Sequence, residues 1–224
     1  MRRAQFVVLA VVLLAGFGSA HPPRAGTPPG AATRSGEMRV LMLVCRDYGA
    51  NYNLIRDAME LRGWQVTVAT TRTTCRPCPW SETLGATGMA GDLLIDDLPD
   101  ITPYDVLAIM PATATTGTSH QQMLESPAAL QLVASAVAGD LVVAAFCGGT
   151  RVLAAADVIQ GRRVTGHPTY QAEYVAAGAE FVETTPPLLD GNILTSRRGQ
   201  FYCHQVCDVM AAAVDSIRAA RSGR

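Results

Sequence analysis

The sequence predicts an α/β fold of three layers, a mostly parallel central sheet with helices on both faces. Three observations point to it. The runs "RVLMLVC", "YDVLAIMP" and "LVVAAF" are almost uninterruptedly apolar, as strands buried on both sides of a parallel sheet are. Stretches with helical spacing stand between them. The connections are short, and strand–helix alternation with short connections makes a parallel sheet covered on both faces.

The N-terminus is set apart from that domain. Arg2 and Arg3 precede the apolar run "AQFVVLAVVLLAGFG", which ends in Gly18-Ser19-Ala20. A basic start, a short apolar stretch and small residues before a cut form a secretory signal peptide, assigned to residues 1–20. The run is short for a membrane span, and no cysteine follows it directly. The mature protein is therefore expected to be exported, periplasmic or extracellular, with no membrane contact after cleavage. Residues 21–37, rich in Pro, Gly, Ala and Thr, read as a flexible linker. One domain is expected over 38–220, with a short tail at 221–224.

Within the domain, residues 39–45 form the first strand. "NYNLIRDAMELRG" follows as a helix, with Leu54, Ala58 and Leu61 at helical spacing and Gly63 placed to end it. "WQVTVAT" (64–70) is the second strand, "DLLIDDL" a short strand or hairpin arm, and "YDVLAIMP" (104–111) another buried strand. Pro127 stands near the start of a helix that Gly139 closes. "LVVAAF" and "TRVLAAADVI" are the next strand and helix. "FVE" and "NILTS" read as strands, and "FYCHQVCDVMAAAVDSIRAA" as a final amphipathic helix. With 17% charged residues and a formal net charge of -1, there is no basic excess to hold nucleic acid and no acidic tail.

In parallel α/β folds chemistry sits at the carboxyl ends of the strands, and Cys147 falls at one of them. Ala145-Phe146-Cys147-Gly148-Gly149 fits a nucleophile elbow in which alanine replaces the first glycine. Small neighbours let strand and helix pack closely while the nucleophile takes a strained backbone conformation. The turn also sets the sulfur at a helix N-terminus, where backbone N–H groups favour thiolate. A buried structural thiol is the competing reading.

"VLMLVCRDYGANYNLIRDAMELRGWQVTVAT", "YDVLAIMP", "LVVAAFCGG", "GRRVTGHP" and "GNILTSR", in this order, resemble the ThiJ/PfpI superfamily, and the last two resemble its deglycase-like branch. The resemblance covers the chain from Met38 to the final helix and implies a flavodoxin-like sandwich, no cofactor or metal, and a homodimer. It also places His167, twenty residues beyond Cys147, beside the elbow. There an imidazole acts as base or forms an ion pair with the thiolate. The PfpI-type members carry His directly after the nucleophile, whereas Gly148 stands there in this chain.

Two departures from the family pattern bear on activity. The family's Glu at the start of the first helix corresponds to Asn51, which hydrogen-bonds but shuttles no proton. Asp47 is a substitute only if it lies close, and a solvated loop residue is the simpler reading. After Pro111 the family has Gly-Gly, whose N–H helps form an oxyanion hole. Here Ala112 and Thr113 supply the backbone groups, together with Gly148.

Five cysteines remain. Cys75-Arg76-Pro77-Cys78 is a C-x-x-C in a loop; for an oxidising compartment it reads as a disulfide, between the two or from each to another cysteine. A zinc half-site completed by Cys203-His204-x-x-Cys207 is the weaker alternative. Cys203 and Cys207 share a helix face and read as small packing residues. Cys45, at the end of the first strand, is a candidate for an oxidised link to Cys147. Two functions compete: a cysteine-dependent enzyme acting on small carbonyl compounds or their adducts, and a thiol protein that senses or absorbs oxidants. The expected partner is the small-molecule substrate or oxidant itself.

Overall fold

The structure is a computed structural model that describes residues 37–49, 51–83, 85–98, 100–112 and 120–223. The expected signal peptide, almost all of the expected linker and Thr113 lie outside the described residues, and of Asn51 only the backbone is described. In chain order the elements are β1 (Arg39–Val44), β2 (Asp47–Tyr48), α1 (Asn51–Glu60), β3 (Gln65–Thr70), β4 (Arg76–Pro77) and α2 (Pro79–Thr83). Then follow β5 (Leu93–Leu94), β6 (Val106–Ile109), α3 (Gln121–Leu124), α4 (Pro127–Ala138) and β7 (Val142–Phe146). The chain continues through α5 (Thr150–Ala155), β8 (Arg163–Val164), α6 (Gln171–Ala176) and β9 (Glu180–Phe181) to β10 (Leu188–Asp190), β11 (Ile193–Ser196) and α7 (Cys203–Ser222).

Seven strands make the main sheet in the order β10-β11-β7-β6-β1-β3-β5. Every neighbouring pair is parallel except the edge hairpin of β10 and β11. The central strands β3, β1, β6, β7 and β11 run in the flavodoxin-like order, with the direction of winding reversing beside β1. Alternate residues serve two cores, which explains the uninterrupted apolar runs. Val40, Met42 and Val44 face α1 and α7 with Phe146 and Leu194. Leu41 and Leu43 join Ile109, Val143 and Ala145 under α4, α5 and α6. No helix among the described residues is long and apolar enough to cross a membrane.

Several local expectations change. The buried face of α1 is Tyr52, Ile55, Ala58 and Met59, while Leu54 is 47% and Leu61 81% exposed. Leu61 falls beyond the helix, whose end is turned by Gly63 at φ 77°. At the end of α4 the left-handed residue is Asp140 (φ 55°), not Gly139. Of "FVE" only Phe181 falls in β9, which pairs with β8 outside the main sheet.

The loop after β1 is drawn in toward β6. Gly49 N–H donates to Pro111 O at 2.9 Å, and Tyr48 forms an antiparallel bridge with Ala112. Asp47 is buried rather than solvated. It accepts hydrogen bonds from Arg46 (2.9 Å) and Arg76 (2.5 Å), the second across the β2–β4 pair. Burial opposes its charge, but the two guanidiniums prevail and hold the carboxyl below its ordinary range. Asp47 is thus committed to clamping this loop.

Candidate functional site

β7 ends at Phe146, and the chain turns through Cys147–Gly149 into α5. Cys147 has φ 57°, a left-handed conformation costly for a residue with a Cβ and a mark of a nucleophile elbow. The turn is tight because Gly149 lies against β6. A Cβ on Gly149 would stand 3.0 Å from Ile109 O and 3.2 Å from Ile109 Cγ2.

The segment carrying His167 is fastened to this turn. His167 N–H donates to Cys147 O at 3.0 Å. Gly166 permits the approach: a Cβ there would meet Cys147 O at 3.1 Å, Thr150 Oγ1 at 2.9 Å and Tyr174 OH at 2.8 Å. Thr150 Oγ1 donates to Thr165 O (2.9 Å), and Thr165 N–H donates to Thr195 Oγ1 (2.9 Å), so α5, this segment and β11 are tied together. Buried Arg151 braces the outer side. Its Nε donates to Glu173 at 2.7 Å, and its guanidinium lies 4.3 Å from the centre of the Tyr170 ring.

The structure therefore brings Cys147, Gly148, His167 and Ala112 to one end of the sheet, where α1 also begins at Asn51. The His167 ring is less engaged than its backbone. It is exposed, its Nδ1 accepts from Thr169 N–H at 3.3 Å, and it packs against Tyr170. Among the described residues no hydrogen bond joins it to the Cys147 sulfur. Burial and the nearby Arg197 both push its pKa down, so the ring is neutral near pH 7. With Nδ1 accepting, the proton sits on Nε2.

The expected resting thiolate gives way to a thiol. Burial pushes the Cys147 pKa up, and the Gly148 N–H and the charges of Arg197 and Arg198 only partly offset it. Those arginines follow directly from β11. Ser196 pairs in register with Phe146, so Arg197 and Cys147 each follow directly on the paired ends of neighbouring strands.

His120 was not singled out in the sequence. It is 2% exposed, takes φ 64°, and its Nε2 donates to Met110 O at 2.9 Å. It also lies against the elbow, with Nε2 3.6 Å from the position a Gly149 Cβ would take. Burial, with a smaller contribution from Arg151, lowers its pKa to about 4. A lone His after a threonine-rich stretch carries no periodicity, and only the fold reveals its position. Arg151 and Arg197 were equally silent, since an Arg on a helix or after a strand reads first as surface.

The cysteine pairings are corrected. All six cysteines are free thiols. Cys75 and Cys78 flank the extended β4, which separates their Cα atoms by about 10 Å at the usual strand rise. Disulfides need less than about 7 Å. Cys78 Sγ instead contacts Ser81 Oγ at 3.1 Å. Cys45 and Cys147 extend β1 and β7, which have β6 between them, so two strand spacings of about 4.8 Å rule out a direct link as well. Among the described residues no group of three or more His, Cys, Asp or Glu side chains gathers to hold a metal, so the two halves of the zinc alternative do not meet.

The DJ-1/PfpI family model matches residues 38–204. A curated relative, protein DJ-1 homolog D of Arabidopsis thaliana, is 26% identical over 175 residues, 70% of this chain but 43% of the relative. The chain thus spans less than half the length of that protein. Among solved structures, a ThiJ/PfpI domain protein from Brachyspira murdochii superposes with a TM-score of 0.67 at 16% identity, covering 81% of this chain and 99% of that one. Drosophila melanogaster DJ-1beta superposes with a TM-score of 0.62 at 20% identity, covering 82% and 97%. The strand order, the elbow at Cys147 and the matched model agree: the chain belongs to the DJ-1/PfpI family.

Proposed function

We propose that the chain is an exported, cysteine-dependent enzyme acting on small carbonyl compounds or their adducts. The observation that carries this reading is the left-handed Cys147 at the carboxyl end of β7, followed by a backbone N–H at Gly148. A sulfur held so is raised above the strand end with a donor beside it, the arrangement that adds a thiol to a carbonyl and receives the resulting oxygen. In that step the S–C bond forms, the carbonyl π pair moves to oxygen, the thiol proton passes to water, and the alkoxide takes a proton back from water to give the neutral adduct. Nε2–H of His167 donates a hydrogen bond to that oxygen without giving up its proton. The N–H groups of Gly148 and of the loop at Ala112 hold the oxygen while it is charged.

Asn51 stands where the family's Glu stands, so proton abstraction from the carbon next to the carbonyl has no carboxylate there. Addition, and hydrolysis of the adduct, need none. The second reading, a thiol that senses or absorbs oxidants, draws support from that same Asn51. Burial of Cys147 weighs on both readings alike, because oxidation and nucleophilic attack both follow thiolate character.

The test is turnover of glyoxal, methylglyoxal and their amine adducts by the native chain, by Cys147→Ala and by Asn51→Glu. Turnover by the native chain that Cys147→Ala abolishes supports the enzyme. Turnover that appears only with Asn51→Glu means the native chain is not a 2-oxoaldehyde isomerase. Activity surviving Cys147→Ala removes the proposed nucleophile.

A further inference from the structure

We propose that the end of β11 forms an anion subsite beside Cys147, and that the preferred substrates are small carbonyl compounds carrying a carboxylate, the 2-oxo acids. This deepens the reading above and rests on it for the reaction, though not for binding. Ser196 pairs with Phe146, so Arg197 and Cys147 are the residues that directly follow the paired ends of two adjacent parallel strands. A carboxylate one bond from a carbonyl carbon attacked by Sγ lies within an arginine side chain's reach of that strand. Arginine's planar fork suits a carboxylate better than any other side chain.

Three further observations fit. Arg197 already meets a carboxylate, that of Glu183, at 3.4 Å. The contact is long and Glu183 is largely exposed, so it marks the chemistry Arg197 accepts and is easily exchanged for a better-placed ligand. Among the described residues Arg198, exposed, makes no ion pair. The hydroxyl of Ser196, fully buried at the last position of the strand, has no hydrogen-bond partner among the described residues. A buried hydroxyl without a partner costs stability, and this one stands directly before the two arginines at the strand's carboxyl end.

The experiment compares alkylation of Cys147 by iodoacetate and by iodoacetamide, which differ in a carboxylate, located by peptide mapping and referred to free cysteine. The subsite predicts an iodoacetate-to-iodoacetamide rate ratio about fivefold above that of free cysteine, an effect of the order of one partly exposed ion pair. The ratio should fall to the reference value in Arg197→Ala/Arg198→Ala, and with rising salt. A ratio equal to that of free cysteine, or one unchanged in the double variant, overturns the proposal. Binding of glyoxylate to Cys147→Ser by titration calorimetry separates the two levels of the argument. Binding lost in Arg197→Ala supports the subsite even where Cys147 proves inert and the enzyme reading fails. No binding overturns the subsite and leaves the enzyme reading standing.

Discussion

Gly166→Ala offers a severe test of how the site is assembled, because the added methyl would meet three atoms that are held in place. Thr150 Oγ1, 2.9 Å away, is buried and bonded to Thr165 O; Cys147 O, 3.1 Å away, belongs to the strained elbow; Tyr174 OH, 2.8 Å away, crowns a fully buried ring. None is the free end of a flexible surface chain. Overpacking of this kind costs about 1–3 kcal/mol. Relief by moving the segment outward would stretch the hydrogen bond from His167 N–H to Cys147 O, for a further ~1 kcal/mol. The sum, about 2–4 kcal/mol, lowers Tm by roughly 5–15 °C for a domain of this size. Denaturant unfolding gives the stability, and iodoacetamide labelling of Cys147 reports whether the elbow has shifted. Gly88→Ala is the control, because its nearest neighbour would be an ordinary 3.4 Å away. A loss below about 0.5 kcal/mol in Gly166→Ala, the range of an ordinary surface change, would refute the idea that close approach at Gly166 fastens His167 to the elbow.

His120 should make folding stability fall on mild acidification. Its folded pKa near 4 lies below the unfolded value of about 6.5, so between these pH values the unfolded chain binds a proton that the folded chain refuses, and stability rises with pH. In His120→Asn, which tolerates the left-handed backbone, urea titrations between pH 4 and 6.5 should lose that slope; an unchanged slope would assign it elsewhere. Labelling of Cys147 against pH should give a midpoint above that of an ordinary thiol, moving higher in Arg197→Ala and Arg198→Ala. A midpoint below about 8.5, the ordinary value, would show that the turn's N–H groups outweigh burial.

The sheet was legible because its strands are buried on both faces, and a run such as "YDVLAIMP" admits few other readings. The elbow was legible for a related reason: Cys147-Gly148-Gly149 at the end of such a run needs two glycines only where strand, turn and helix crowd together. The exposed face of α1 was misread because Leu54 and Leu61 match a helical stripe as well as Ile55 and Met59 do, and only packing against α7 decides between them. Non-local matters escaped altogether. That Asp47 reaches Arg76, that His120 reaches Met110 O, and that Arg197 and Cys147 follow on paired strand ends depend on register between strands distant in sequence. The C-x-x-C misled because spacing says nothing of conformation: two residues in a strand hold its cysteines apart, whereas the same two in a turn would bring them together.

Burial has a further consequence for the thiols. Desolvation pushes Cys45 and Cys207 to about 12 and Cys75 to about 11, so all three are protonated and inert while the chain stays folded. Unfolding returns each to an ordinary pKa in water. In an oxidising medium each opening exposes these sulfurs to oxidants and to one another. Because reclosing is ordinarily faster than thiol oxidation, the loss follows the fraction of time the chain stands open.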